Sequence, residues 1–187
     1  RELGLETGTF TALFFFGAEG IGPVWKYAAA VVDRGLDMQV VIVCGRNEKL
    51  RADMEGFCRG RSCTARFVVK GYVSNLADYI AASDVVVGKS GPNQVFETLA
   101  QERPIIISSF LANEKETTDW VIRNRAGWLT RTPASLARLL EKLAARPDLI
   151  REYQKSIRAL GVRSGVPEIC TFLAGLLDEK KSRRKRP

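Results

Sequence analysis

The sequence contains no histidine. That removes the side chain most often used as a general base near neutral pH, and it excludes any mixed Cys/His zinc site. The cysteines, Cys44, Cys58, Cys63 and Cys170, fall at no metal-ligand spacing. Cys44 ends one apolar run and Cys170 sits inside another, so both read as buried small hydrophobes in a reducing compartment. Cys58 and Cys63 are the only pair close enough in sequence for an easy disulfide, which is not expected. No apolar run reaches the roughly 18 to 20 residues of a membrane-spanning helix. The chain also starts at Arg1, without methionine or a signal-like segment, so it reads as a domain of a longer protein whose targeting information lies elsewhere.

Acidic residues are missing from the last eight positions, which hold Lys180, Lys181, Arg183, Arg184, Lys185 and Arg186. The formal charge is +8, and without these six it is +2. The body is therefore only mildly basic, and nucleic acid is not an expected partner. Residues 180–187 read as a solvated basic tail, with anionic lipid headgroups as the functional alternative.

What remains is a 187-residue chain, 45% hydrophobic, enough for one buried core over residues 1–179. Runs rich in Val, Ile and Phe recur at Phe10–Phe16, Gln39–Cys44, Ala65–Val69, Asp84–Val87 and Pro104–Ser108, with a short one at Gly127–Leu129. Segments of helical length alternate with them: Pro23–Arg34, Lys49–Phe57, Leu76–Ala82, Pro92–Gln101 and Glu114–Asn124. Three more helices follow, Pro133–Ala145, Pro147–Leu160 and Pro167–Leu177, each with a proline near its start. Continuous apolar strands mean burial on both faces, and strand-helix alternation predicts an α/β fold with a doubly wound parallel sheet. Ligands of such sheets gather at the carboxyl ends of the strands.

Two of those ends carry glycine. The first is Gly17-Ala-Glu19-Gly20-Ile-Gly22-Pro23, where the backbone can approach a phosphate or sugar closely. It is not a dinucleotide fingerprint, and a tight strand-to-helix turn would use glycine as well. Glu19 could meet a sugar hydroxyl or serve only as a first-turn acid. The second is Gly88-Lys-Ser90-Gly91-Pro92-Asn93, which imitates the end of a phosphate-binding P-loop. The first glycine of that motif would stand at position 83, which is Ser83, so a P-loop nucleotidase is rejected. In the helix opened by Pro92, Val95, Phe96, Leu99 and Ala100 are the expected core stripe, and Asn93, Glu97 and Gln101 share the adjoining face. Glu97 is either a solvated helix acid or the acceptor for both hydroxyls of a ribose. Asn113, Glu114 and Thr117 open another helix; there the acids suit the helix dipole or hold a sugar.

Taken in order, Phe16-Gly-Ala-Glu-Gly-Ile-Gly-Pro23, Val43-Cys-Gly-Arg-Asn-Glu-Lys-Leu50, Gly71-Tyr-Val73, Lys89-Ser-Gly-Pro92 through Glu97, Arg103-Pro-Ile-Ile-Ile107 and Asn113-Glu114 resemble one family. It is the donor-binding C-terminal half of GT-B lipid glycosyltransferases, of the plant monogalactosyldiacylglycerol synthase and bacterial processive diacylglycerol glucosyltransferase type. The resemblance implies a Rossmann-like domain whose N-terminal acceptor domain lies outside this chain. It further implies a UDP-hexose donor, with galactose favoured. Tyr72 and Val73 would meet uracil, Ser90, Gly91, Pro92 and Asn93 the diphosphate, Glu97 the ribose, and Asn113, Glu114 and Thr117 the transferred sugar. The loop of Gly17, Glu19, Gly20 and Gly22 would lie near the reacting centre.

The implied reaction is inverting transfer to a diacylglycerol hydroxyl, with no cofactor and no obligatory metal. The general base is expected from the N-terminal domain, so this domain alone would bind donor and turn over little. Peripheral attachment to a membrane is implied, on a cytoplasmic face or a plastid envelope. Asn93-Gln94 stands where the plant enzymes carry Gly-Thr, Ala112-Asn113 where they carry Gly-Gln, and Thr117 where they carry Asn. Two alternatives stand beside this reading: a related transferase acting on another lipid, such as a polyprenyl-linked sugar, and a noncatalytic nucleotide-binding module.

Overall fold

The computed structural model describes residues 3–17, 19–20, 22–60, 63–109 and 111–184, the last of these, 178–184, by backbone alone. Six strands form one all-parallel sheet in the order β3-β2-β1-β4-β5-β6. They are β1 (Thr11–Phe15), β2 (Gln39–Val43), β3 (Arg66–Lys70), β4 (Val85–Lys89), β5 (Ile105–Ser109) and β6 (Gly127–Leu129). Helices fill the crossovers: α1 (Val24–Asp33), α2 (Glu48–Arg59), α3 (Leu76–Ala81), α4 (Pro92–Ala100) and α5 (Lys115–Arg123). After β6 come α6 (Pro133–Ala145), α7 (Pro147–Ala159) and α8 (Val166–Arg184). The order reverses between β1 and β4, which is where such a sheet opens a crevice at its carboxyl edge.

The central strands are apolar throughout because both their faces are covered. Ala12 and Phe14 of β1 join Val40, Ile42, Val85 and Val87 in a core capped by α1 and α6. On the opposite face Leu13, Val41, Val43 and Val86 pack on Tyr79 and Ile80 of α3. Val95, Leu99, Ile105, Ile107 and Val121 extend the core under α4 and α5. Phe14 is wholly buried, and truncating such a side chain to alanine costs about 3 to 5 kcal/mol.

Every expected strand and helix is present, with four departures. Gly88 and Lys89, read as a loop, belong to β4: Gly88 pairs with both Phe15 and Ile107, and the register slips between Gly88 and Lys89. The buried side of α4 is Gln94, Val95, Thr98 and Leu99, not the stripe containing Phe96 and Ala100, because Phe96 instead leans on the ring of Trp120 at 5.5 Å. Cys170 is exposed and not buried, since the side chains described on α8 face solvent all round. Residues 180–184 continue α8 rather than forming a separate tail, while Lys185 and Arg186 lie outside the described residues. All four cysteines are free thiols, and burial pushes the Cys44 and Cys58 pKa values up to about 11.

Candidate functional site

A cleft of about 770 Å³ opens at the switch point, a size within the range of small-molecule sites. Gly17 just after β1, Lys89 at the end of β4, Gly91 in the turn that follows, and Pro92, Asn93, Gln94 and Glu97 on α4 line one side. Tyr72, Val73 and Ser74 after β3 line the other.

The first glycine turn is held from beneath. The Gly20 amide donates to the Gly17 carbonyl at 3.0 Å, and Gly20 has a φ of +57°. A Cβ there would also stand 2.5 Å from the Cys44 carbonyl oxygen, so this position requires glycine twice over. Asn47, which caps α2 by accepting from the Leu50 amide at 2.9 Å, sends its amide group to the Glu19 carbonyl at 3.4 Å. Glu19 itself points outward, 3.8 Å from Arg46, whose guanidinium lies 5.3 Å from the Tyr72 ring centre. Arg46 therefore lies between Glu19 of the first turn and Tyr72 of the loop after β3.

The second turn puts a cation where it can act. Lys89 extends between the two turns: a Cβ on Gly17 or Gly91 would lie 3.4 or 3.6 Å from its Cε. The register slip at the end of β4 redirects the strand at this residue. Gly91 offers no side-chain cap to α4, and Pro92 occupies its first turn, so the leading amides of the helix keep their partial positive charge for a ligand. Glu97, one turn further along α4, is exposed in the same cleft and has no hydrogen bond or ion pair among the described residues. One cleft thus joins an ammonium and unspent backbone donors to a free carboxylate. That pairing suits a ligand with an anionic centre flanked by hydroxyls.

Among the residues expected from the sequence, Gly17, Tyr72, Val73, Gly91, Pro92, Asn93 and Glu97 line the cleft together. Ser90 is buried beneath it, with its hydroxyl donating to the Glu114 carbonyl at 3.4 Å. Glu114 is buried as well, and its carboxylate accepts from the Leu111 amide at 3.1 Å. Its nearer oxygen reaches within 3.3 Å of a Cβ position on Gly91, so Glu114 fastens the β5–α5 loop against the second turn. Asn113 is exposed, Thr117 is half-buried, and neither lines the cleft; Glu19, Gly20 and Gly22 also stand outside its wall. Among the cleft residues that sequence reasoning missed are Lys89 and Gln94. The signal for Lys89 was its place between Gly88 and Gly91 after a buried strand, masked by the false P-loop pattern.

The family described as the glycosyltransferase family 28 C-terminal domain matches residues 23–119. Monogalactosyldiacylglycerol synthase 2, chloroplastic, of Arabidopsis thaliana is 27% identical over 189 residues, covering 96% of this chain and 40% of the relative. A probable monogalactosyldiacylglycerol synthase, chloroplastic, of Nicotiana tabacum is 30% identical over 162 residues, covering 81% of this chain and 29% of the relative. The chain therefore spans well under half the length of these relatives. Among solved structures, Acinetobacter baumannii MurG superposes with a TM-score of 0.69 at 13% identity, over 84% of this chain and 47% of that one. The C-terminal CMP-Kdo binding domain of WaaA from the same organism superposes at 0.64 with 12% identity, over 84% of this chain and 91% of that one. These structural likenesses establish a shared α/β fold.

Proposed function

Because the chain belongs to the glycosyltransferase family 28 C-terminal domain, we propose that it binds the nucleotide-sugar donor of a GT-B lipid glycosyltransferase in the cleft at the β1/β4 switch point. One observation carries this reading: Lys89 and the uncapped start of α4 share a cleft with the unpaired carboxylate of Glu97. The ammonium and the helix amides take the diphosphate, and Glu97 accepts from the ribose hydroxyls. Tyr72 and Val73 flank the nucleobase. The favoured donor is a UDP-hexose, galactose ahead of glucose, and the favoured acceptor is diacylglycerol, in keeping with what the relatives are named for.

In the proposed reaction the acceptor oxygen forms a bond to the anomeric carbon as the bond from that carbon to the diphosphate breaks from the opposite face. The bonding pair leaves with UDP. Charge gathering on the departing oxygens is met by Lys89 and by the amides of the two turns, preorganised before reaction, and the scheme uses no metal. The acceptor proton passes to a base outside this chain. Peripheral membrane contact, on a cytoplasmic face or plastid envelope, is part of the same proposal. Val166, Ile169, Phe172, Leu173, Leu176 and Leu177 stand exposed on α8 just before the basic run, a composition suited to an anionic surface. Among the described residues no helix is long and apolar enough to cross a membrane.

Calorimetry against UDP, UDP-galactose, UDP-glucose, UDP-N-acetylglucosamine and ATP tests the donor assignment. Binding of uridine nucleotides ahead of ATP is expected. Silence toward all of them, or preference for ATP, would overturn it.

A further inference from the structure

We propose that Gln94 is a positioning residue that sets the distance between the two glycine turns, and thereby the cleft's grip on the anionic part of the donor. The proposal rests on the donor reading above.

Gln94 follows the second turn by one step of α4 and is 6% exposed. Its Nε2 donates to the carbonyl oxygen of Phe15 at 2.5 Å, across 79 positions of sequence. Phe15 is the last residue of β1 and leads directly into Gly17. The bond therefore crosses the switch point and ties the start of α4 to the entrance of the first turn. Gly88 makes room for it: a Cβ at that position would fall 1.9 Å from Nε2 and 2.4 Å from the Phe15 oxygen.

Packing alone does not call for an amide here. Oε1 of Gln94 is buried and has no hydrogen-bond partner among the described residues, so methionine would fill the same volume without burying an unpaired side-chain oxygen. What the amide adds is the fixed link to β1. The gap that the link holds open is one side chain wide, since the stem of Lys89 threads it within 3.4 and 3.6 Å of the Cβ positions of Gly17 and Gly91. A change in spacing would carry the ammonium and both sets of amides with it. Diphosphate affinity depends on all three converging.

The test uses Gln94→Met, which keeps length and volume but removes the donor, and Gln94→Thr, which stays polar but is too short to reach Phe15. Amide hydrogen exchange, melting temperature and calorimetric affinity for UDP and UDP-galactose are read on each. Expected are exchange at Gly17 and Gly20 at least about tenfold faster with β2 amides unchanged, and UDP and UDP-galactose both weakened by about the same tenfold factor. Unchanged exchange at Gly17 and Gly20 would overturn the link, as would a loss confined to UDP-galactose, which would place Gln94 against the sugar. If the unaltered chain binds no uridine nucleotide, the donor reading falls, and the exchange measurement still decides whether Gln94 holds the turns.

Discussion

The hydroxyl of Tyr27 donates to the backbone carbonyl of Ser108 at 2.8 Å, fastening the first turns of α1 to the end of β5. The Ser108 hydroxyl in turn donates to the Gly88 carbonyl at 3.3 Å, so α1, β4 and β5 meet in one buried chain of bonds. Phe16 stacks on the Tyr27 ring with centroids 5.8 Å apart, which holds the hydroxyl on its target. Tyr27→Phe keeps that stacking and leaves the Ser108 carbonyl short of a donor. A loss of about 1 to 3 kcal/mol is expected in urea unfolding, with the slope unchanged. Stability equal to the unaltered chain would show that the bond contributes nothing.

The donor cleft makes two separable claims about charge. Lys89→Met should leave the melting temperature within a few degrees and weaken UDP by about ten- to a hundredfold, because a charge-assisted contact of about 1.5 to 3 kcal/mol is removed. The loss should be smaller for uridine, which carries no phosphate. Equal loss for uridine and UDP would place Lys89 away from the diphosphate.

Glu97 is tested by what it is proposed to read. The unaltered chain should prefer UDP over 2′-deoxy-UDP, and Glu97→Ala should weaken UDP about tenfold while erasing that preference. A preference that survives the substitution would assign the ribose to another group.

Much of this architecture is legible in the chain because burial on both faces writes β1, β2, β4 and β5 as unbroken apolar runs, and because glycine and proline mark where strands give way to helices. What escapes is whatever depends on partners distant in sequence. Gly88 and Lys89 look like a loop until Phe15 and Ile107 pair with Gly88. Gln94 falls outside the expected apolar stripe of α4 until the Phe15 carbonyl, 79 positions away, is found to hold it inward while Phe96 lies out against Trp120. Glu114 looks like an acid aimed at a ligand, yet local geometry folds it back onto Leu111 and the second turn. Periodicity reports which face is apolar and not what a polar side chain will find there.

Asp84 gives the fold a pH dependence of definite sign. Burial raises its pKa, against the lowering effects of the Thr11 amide, which donates to it at 2.7 Å, and of Arg103. A carboxyl whose folded pKa is raised contributes its stability fully below its unfolded pKa, and that contribution is lost as pH rises through the folded value. At neutral pH the ionised group is therefore a burden that Asp84→Asn relieves, while the asparagine oxygen can still accept from Thr11. The variant should melt about 2 to 4 °C higher at pH 7, and the gap should close as pH falls toward 4. A gap that widens in acid would reverse the assigned cause.

The exposed face of α8 leads to the last prediction. Phe172 is the most solvent-accessible of the large apolar side chains described on the helix, Leu173 beside it is exposed as well, and six basic residues fall between positions 180 and 186 of the sequence. Apolar insertion alone would not distinguish lipids by charge, whereas each basic residue near an anionic surface adds about 1 kcal/mol that salt removes. The chain should therefore sediment with phosphatidylglycerol-rich vesicles at low salt, release at high salt, and ignore phosphatidylcholine. Replacing Phe172 and Leu173 by serine should weaken binding while leaving its salt dependence. Replacing the basic run by serine should remove the salt dependence and most of the binding together. Equal partition into neutral and anionic vesicles would remove the basic run from the interaction and leave apolar insertion alone, whereas no binding to either would overturn the membrane assignment.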